Sequence, residues 1–197
     1  LDRTNSPLNA GNCSSCHSGG NFESNMTIEL IDKNNQSVKN YAVGETYTVR
    51  YTINATGAAK FGLQSTILAS DSSNAGTLTA KSANSQIVSL NNRTYLDHKT
   101  ASTTNVFEAN WVAPAVLKGD IKIYSSALAA NGDNGTIGDK QITESPFVIS
   151  PSASGLKNQS LTIKVYPNPT TESINIESNI TPNTIEIYSL TGSLVLS

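Results

Sequence analysis

Both cysteines of the chain and one of its two histidines fall within Cys13-Ser14-Ser15-Cys16-His17. C-x-x-C-H is the attachment sequence for a c-type haem. Thiols three positions apart project from one side of a helical turn, so each can form a thioether with one haem vinyl group. The histidine that follows is then held under the iron as an axial ligand. A site of this kind carries an electron; it does not by itself catalyse bond chemistry.

Other chemistries fit these residues less well. A thioredoxin-like redox pair expects a strand before it and a helix after it. Here the flanks are Leu8-Asn9-Ala10-Gly11-Asn12 and Ser18-Gly19-Gly20-Asn21, which read as turn and loop. A structural zinc ion normally takes four protein ligands. The soft ligands are Cys13, Cys16, His17 and distant His98, and adjacent Cys16 and His17 would crowd one metal. A plain Cys13–Cys16 disulfide would leave His17 without a role.

The elements that must hold such a site are strands. The chain has 197 residues, only 14% of them charged, and a formal net charge of -2, which gives no reason to expect nucleic acid or an anionic membrane as partner. No apolar run reaches the length of a membrane span. No signal peptide is visible, so Leu1 is expected to follow a processing site or a trimmed start. Covalent haem attachment belongs to the far side of the inner membrane, which implies export.

Tyr47, Val49, Tyr51 and Ile53 share one face of the run Thr46 to Ile53, and polar residues share the other. Similar runs occupy 26–31, 61–69, 86–90, 106–112, 120–125 and 141–149. Turn signals separate them, among them Val43-Gly44-Glu45, Lys118-Gly119-Asp120 and Asn131-Gly132-Asp133-Asn134-Gly135. Seven or eight short strands at this spacing predict an all-β fold, an antiparallel immunoglobulin-like sandwich, with Trp111 and the tyrosines in its core. The expected organisation is a haem-attachment segment over 1–24, a sandwich over 25–150, a Ser/Pro/Gly linker over 151–160, and a small β-domain over 161–197.

Two resemblances follow. Val165-Tyr166-Pro167-Asn168-Pro169, then Ile174-Asn175-Ile176, then Ile187-Tyr188-Ser189-Leu190-Thr191-Gly192 resemble the C-terminal sorting domain of type IX secretion cargo, found in Bacteroidetes. This resemblance implies the secretion machinery as a partner and an extracellular or outer-surface location. The family pattern runs on through further strands, whereas the sequence ends at Ser197. The expectation is a native end beyond Ser197, a strand supplied by another copy through β-augmentation into a homo-polymer, or cleavage during secretion.

The second resemblance rests on Asn12-Cys13-Ser14-Ser15-Cys16-His17-Ser18-Gly19, Tyr41-Ala42-Val43-Gly44-Glu45, Phe61-Gly62-Leu63-Gln64, Tyr95-Leu96-Asp97-His98, Trp111-Val112-Ala113-Pro114-Ala115 and Asn131-Gly132-Asp133-Asn134-Gly135. In that order they resemble the Reeler-type β-sandwich modules of secreted bacterial proteins that carry an N-terminal C-x-x-C-H. The fold inference from this family is firmer than any function borrowed from it.

For the sixth iron ligand the residues offer His98, Met26, or an open position. Met26 opens a strand with Ile28 and Leu30 in alternation and reads better as core; for His98, in a polar stretch, the alternative is a solvated loop residue. The resemblance favours His98, because a histidine after Tyr-x-x recurs in that pattern. Bis-histidine ligation would fill both axial positions and make electron transfer the natural role. It would also pin an apolar-poor N-terminal segment onto the sandwich. Asn131, Asp133 and Asp139 could surround calcium, but Gly135 stands where an EF-hand oxygen belongs, and a turn is the better reading. The Asn-x-Ser/Thr sequons, Asn25, Asn54, Asn92, Asn134 and Asn158, suit chance in so Asn-rich a chain. No Ser-His-Asp arrangement or phosphate loop is readable.

The sequence therefore predicts a secreted monohaem c-type cytochrome, not an enzyme, that passes electrons to redox partner proteins at or outside the cell surface. Cys13 and Cys16 anchor the haem, His17 ligates the iron and His98 completes it. The competing readings are a cell-surface binding or adhesion module with a structural haem, and a haem-bearing filament subunit assembled through the C-terminal β-domain.

Overall fold

The structure is a computed structural model that describes residues 1–7, 11–152, 163–179 and 184–196. The chain divides into two compact units, Leu1–Ala153 and Ser154–Ser197. Among the described residues there is no α-helix, and none is long and apolar enough to cross a membrane.

The first unit opens with a 3-10 turn at Cys13–Ser15. Strands β1 (Ser18–Gly19), β2 (Ser24–Ile31), β3 (Ser37–Val38), β4 (Asn40–Tyr41) and β5 (Thr46–Ala55) follow. Next come β6 (Lys60–Leu68), β7 (Thr77–Ala80), β8 (Ser85–Leu90) and β9 (Arg93–His98). The unit closes with β10 (Val106–Val112), β11 (Ile121–Ala130), β12 (Ile137–Thr143) and β13 (Phe147–Pro151). One sheet has the order β1-β12-β11-β6-β9-β8, with β13 paired to β11 and β4 to β13; the other runs β3-β2-β5-β10-β7. Pairing is antiparallel except at β1–β12 and β4–β13, which are parallel.

The alternation of β5 works as the period-two pattern requires: Tyr47, Val49, Tyr51 and Ile53 are buried while Thr48, Arg50 and Thr52 reach water. Together with Leu30, Phe107, Trp111, Leu63, Ile121 and Ile123 they fill the space between the sheets. Polar groups taken into that space find partners. The Trp111 indole N–H donates to the Ala75 carbonyl at 2.7 Å, and Tyr51 Oη lies 2.8 Å from Ser65 Oγ.

Two expectations from the sequence need correction. The run 141–149 is two strands, not one, because Pro146 lacks an N–H for the ladder. The chain breaks at Glu144-Ser145-Pro146, and β12 and β13 each pair a different stretch of β11. The run that begins at residue 120 continues to Ala130, since β6 pairs with it over its whole length. His98 ends strand β9, which is held between β6 and β8.

The N-terminal segment is tied down by polar contacts rather than by apolar ones. Asp2, Thr4 and Ser6 are buried, as is Arg93 on β9. The Asp2 carboxylate accepts from Thr4 N–H and Oγ1 and from Ser6 Oγ, and lies 3.6 Å from Arg93 Nη1. Arg3 N–H donates to Gln64 Oε1, and Gln64 Nε2 donates to the Leu1 carbonyl. This leash sets where the following 3-10 turn meets the sheet.

The second unit contains two hairpins, β14 (Ile163–Tyr166) with β15 (Asn175–Ser178), and β16 (Ile187–Tyr188) with β17 (Leu194–Leu196). Val165, Tyr188 and Leu194 are exposed on them. Most of the linker expected over 151–160 lies outside the described residues, and Pro151 belongs to β13.

Burial pushes the Asp2 carboxyl up, but the hydrogen bonds from Thr4, Ser6 and Tyr95 outweigh it and hold the group below the ordinary aspartate value. A depressed folded-state value means that its stabilisation is complete above the ordinary aspartate pKa and is lost as pH falls through the folded one. Asp2→Asn should therefore cost on the order of 3 kcal/mol near neutral pH, by leaving Arg93 without its buried counter-charge. Thermal melts should show the gap between variant and wild type closing as pH falls below the aspartate range; an equal gap at all pH values would contradict this.

Candidate functional site

Cys13, Cys16, His17 and His98 line one cleft of about 420 Å³, a volume within the usual range for small-molecule and cofactor sites. Its floor is the β6–β11 ladder. Gln64 opposes Ser126, Gly62 opposes Leu128 and Lys60 opposes Ala130, so these six share one face. Their neighbours Leu63, Ala127 and Ala129 point into the core. One wall is the 3-10 turn, which opens on Asn12: its side chain accepts from Ser14 N–H and Oγ, and Cys16 and His17 N–H both return to the Cys13 carbonyl. That turn brings the two thiols into the same cleft, as the spacing requires.

The cysteines are free and differ in setting. Cys13 is partly buried at the Gln64–Ser126 end, where Ser126 Oγ donates to its sulfur at 3.3 Å. Burial pushes its thiol pKa up, with the Ser126 hydrogen bond opposing and the charge of Asp97 adding to the rise. Cys16 is exposed.

Each histidine is held through Nδ1. His17 Nδ1 lies 2.7 Å from Asp139 Oδ2, a carboxylate with only 2% of its residue surface in water. His98 ends β9 one residue after Asp97 pairs with Gln64, and its ring takes the place of a further strand partner for Leu63. Its Nδ1 is 3.1 Å from the Leu63 carbonyl and 3.1 Å from Asp97 Oδ1. Asp97 holds the His98 imidazole above its ordinary pKa, against the effect of burial and with help from the Leu63 backbone. The ring fits there because position 62 is glycine: a Cβ on Gly62 would stand 3.4 Å from His98 Cε1. Among the described residues, no hydrogen bond reaches Nε2 of either histidine.

Met26 lies elsewhere. It is buried in β2 within the core, and it does not line this cleft. The loop 131–135 uses its own carboxylate as a turn: Asp133 accepts from Gly135 N–H at 2.7 Å and from Asn131 Nδ2. Asp139 is committed to His17 and to Asn131 N–H. Among the described residues no three of His, Cys, Asp and Glu come together as a metal-ion site. That disfavours calcium in the loop and a zinc ion at the cysteines alike.

The fit to haem can be tested on these residues. Two thiols and two imidazoles line a partly apolar cleft, each imidazole with Nδ1 held by protein and, among the described residues, no hydrogen bond at Nε2. The four do not converge tightly enough to hold a bare ion, which leaves room for a group between them. Two cationic side chains, Arg3 and Lys60, also line it and suit a doubly carboxylated ligand. The residues present fit the group.

In the sequence Asp139 reads only as part of a Gly-rich turn that could surround calcium, and the structure adds roles for it and for Gly62. A glycine inside the strand pattern Phe61-Gly62-Leu63 is a signal of close approach; nothing in the sequence ties residue 139 to residue 17.

Residues 164–197 match the family described as secretion system C-terminal sorting domain. This type IX sorting domain addresses the chain to the secretion machinery, and the protein is exported to the cell surface or the extracellular space. Among solved structures, the chain is similar to the human F-spondin reeler domain, at 18% identity over 66% of this chain and 93% of that one, with a TM-score of 0.42. It is also similar to the Reelin-N domain of F-spondin, at 16% identity over 68% and 95%, with a TM-score of 0.43. Among curated proteins none matches the chain by sequence.

The unequal settings of the thiols make a direct test. In haem-free protein, iodoacetamide should modify Cys16 before Cys13, as read by mass spectrometry over time. Equal rates would mean that Cys13 is not seated against Ser126.

Proposed function

We propose that the protein is a secreted monohaem c-type cytochrome that passes electrons to redox partner proteins at or outside the cell surface. The observation that carries this reading is the meeting of His98, from β9, with Cys13, Cys16 and His17 in one cleft, both imidazoles held through Nδ1. Imidazole ligands of metals are oriented in this way, with the second nitrogen left for the metal.

In this reading Cys13 and Cys16 would anchor haem c through thioethers, and His17 and His98 would hold its iron. Haem c, when bound, supplies a one-electron iron couple. The chain's own residues bind and orient. The Asn12-capped turn presents the thiols, and Gly62 lets the His98 ring lie on β6. Leu128 and Phe61 exclude water, and Arg3 and Lys60 offset carboxylate charge. Two histidines that both held the iron would leave no room for a substrate there, which favours a role in electron transfer over catalysis. Assembly of copies by strand addition is a second reading, favoured by the exposed Val165, Tyr188 and Leu194 on the C-terminal hairpins.

The test is a reduced-minus-oxidised visible spectrum of protein exported from a host that attaches haem to C-x-x-C-H, after acid extraction to remove non-covalent haem. Wild type should give a sharp low-spin spectrum, and His98→Ala a high-spin one. A low-spin spectrum retained by His98→Ala would remove His98 as ligand. Absence of extraction-resistant haem would overturn the cytochrome reading and leave a secreted binding module.

A further inference from the structure

Asp139 is almost wholly buried, and each oxygen of its carboxylate has a donor. Oδ1 accepts from Asn131 N–H at 3.0 Å, and Oδ2 lies 2.7 Å from His17 Nδ1. Both carboxylate oxygens are placed to accept, so Nδ1 is the ring nitrogen that donates to Asp139, and in the neutral ring Nε2 then keeps its lone pair. The arrangement is built rather than incidental. Strand β1 carries the residues just after His17 alongside β12, and Gly20 N–H donates to the Asp139 carbonyl at 2.9 Å. Position 20 must be glycine for this approach, since a Cβ there would stand 2.4 Å from the Asp139 carbonyl carbon. Any side chain at 20 would push β12, and Asp139 with it, away from His17.

We infer that Asp139 is the positioning residue for His17: it fixes the tautomer that leaves Nε2 free, and its buried charge strengthens Nε2 as a donor and holds the iron's reduction potential low. The inference rests on the haem reading proposed above and assigns a second function to a residue that otherwise only closes a loop. A carboxylate behind a metal-binding imidazole raises the basicity of that ligand, and a more basic ligand favours the oxidised, more highly charged iron. The two axial histidines are thereby unequal. His98 has the Leu63 carbonyl and the partly exposed Asp97 behind it, whereas His17 has a carboxylate shut off from water, where its charge is screened least. Replacing Asp139 by asparagine keeps the shape but lets an amide N–H face Nδ1. That would favour the tautomer with its proton on Nε2, the nitrogen needed for the metal.

Two measurements on the full chain decide this. In ¹⁵N-labelled haem-free wild type at about pH 8, where an ordinary imidazole is neutral, the ring-nitrogen shifts of His17 should show a protonated Nδ1 and an unprotonated Nε2. A proton on Nε2 would overturn the inference, and this result needs neither a variant nor a haem. In the haem-loaded chain, Asp139→Asn should raise the reduction potential relative to wild type, and Asp139→Glu should restore part of the difference. A potential that is unchanged or lowered in Asp139→Asn, with haem still attached, would equally overturn it. Failure of the cytochrome reading is distinguishable: wild type would lack covalent haem while the His17 tautomer still answers for Asp139.

Discussion

A carboxylate cannot stay ionised away from water unless donors replace the water it has lost, and Asp139 finds both of its donors within the first unit. One is the backbone of Asn131, which fixes where the loop after β11 turns back into β12. The other is His17, which fixes where the cysteine-bearing turn lies against the same strand. The sheet order around β12 follows from this: β1 is added in parallel on its outer edge, two residues long, and only because Gly20 allows contact. That carboxylate joins the backbone bonds of Ser18 and Gly20 and the Ser126–Cys13 contact in settling a turn of small polar residues on a sheet edge.

The rest of the first unit is a conventional answer to burying alternating faces. Two sheets enclose Trp111, Tyr41, Tyr51 and Phe107, and the cleft lies on the opposite face of the β6–β11 ladder from that core. The division of labour is clear in residues 60–64. Leu63 packs into the interior, whereas Lys60, Gly62 and Gln64 alternate onto the other face of the ladder, which floors the cleft. From Ser65 to Leu68 the same strand is buried on both faces and tolerates little change. Here that rigidity is what lets one His98 ring, lodged on Gly62, keep its place without a loop around it.

How much of this could be read in the sequence varies with the range of the interaction. The cysteine pair with its histidine was legible because its chemistry lies in adjacent residues, and β5 and β10 because each carries an unbroken period of two. His98 was legible as a candidate, though its strand was not: Arg93 to His98 mixes buried Arg93, Tyr95 and Leu96 with polar neighbours and is fixed by pairing on both sides. The break at Pro146 was in plain view, yet the apolar residues around it ran on and masked it. Least legible were the contacts between distant segments. Asp2 with Arg93, and Asp139 with His17, join residues whose types are ordinary on their own, and no periodicity connects them.

The polar leash over the first seven residues bears on the order of events in making the protein. Asp2, Thr4 and Ser6 are seated on β9 by contacts that involve neither cysteine, so the turn is localised before any bond to sulfur forms. The entropy of bringing the thiols to the cleft is then met during folding of the chain, not at the moment of ligation. A ligand resting on the β6–β11 face would meet Cys13 and Cys16 at the high effective concentration of an intramolecular encounter, rather than that of a freely diffusing tail. Under the haem reading proposed above, attachment can thus follow folding, with the sandwich as its template.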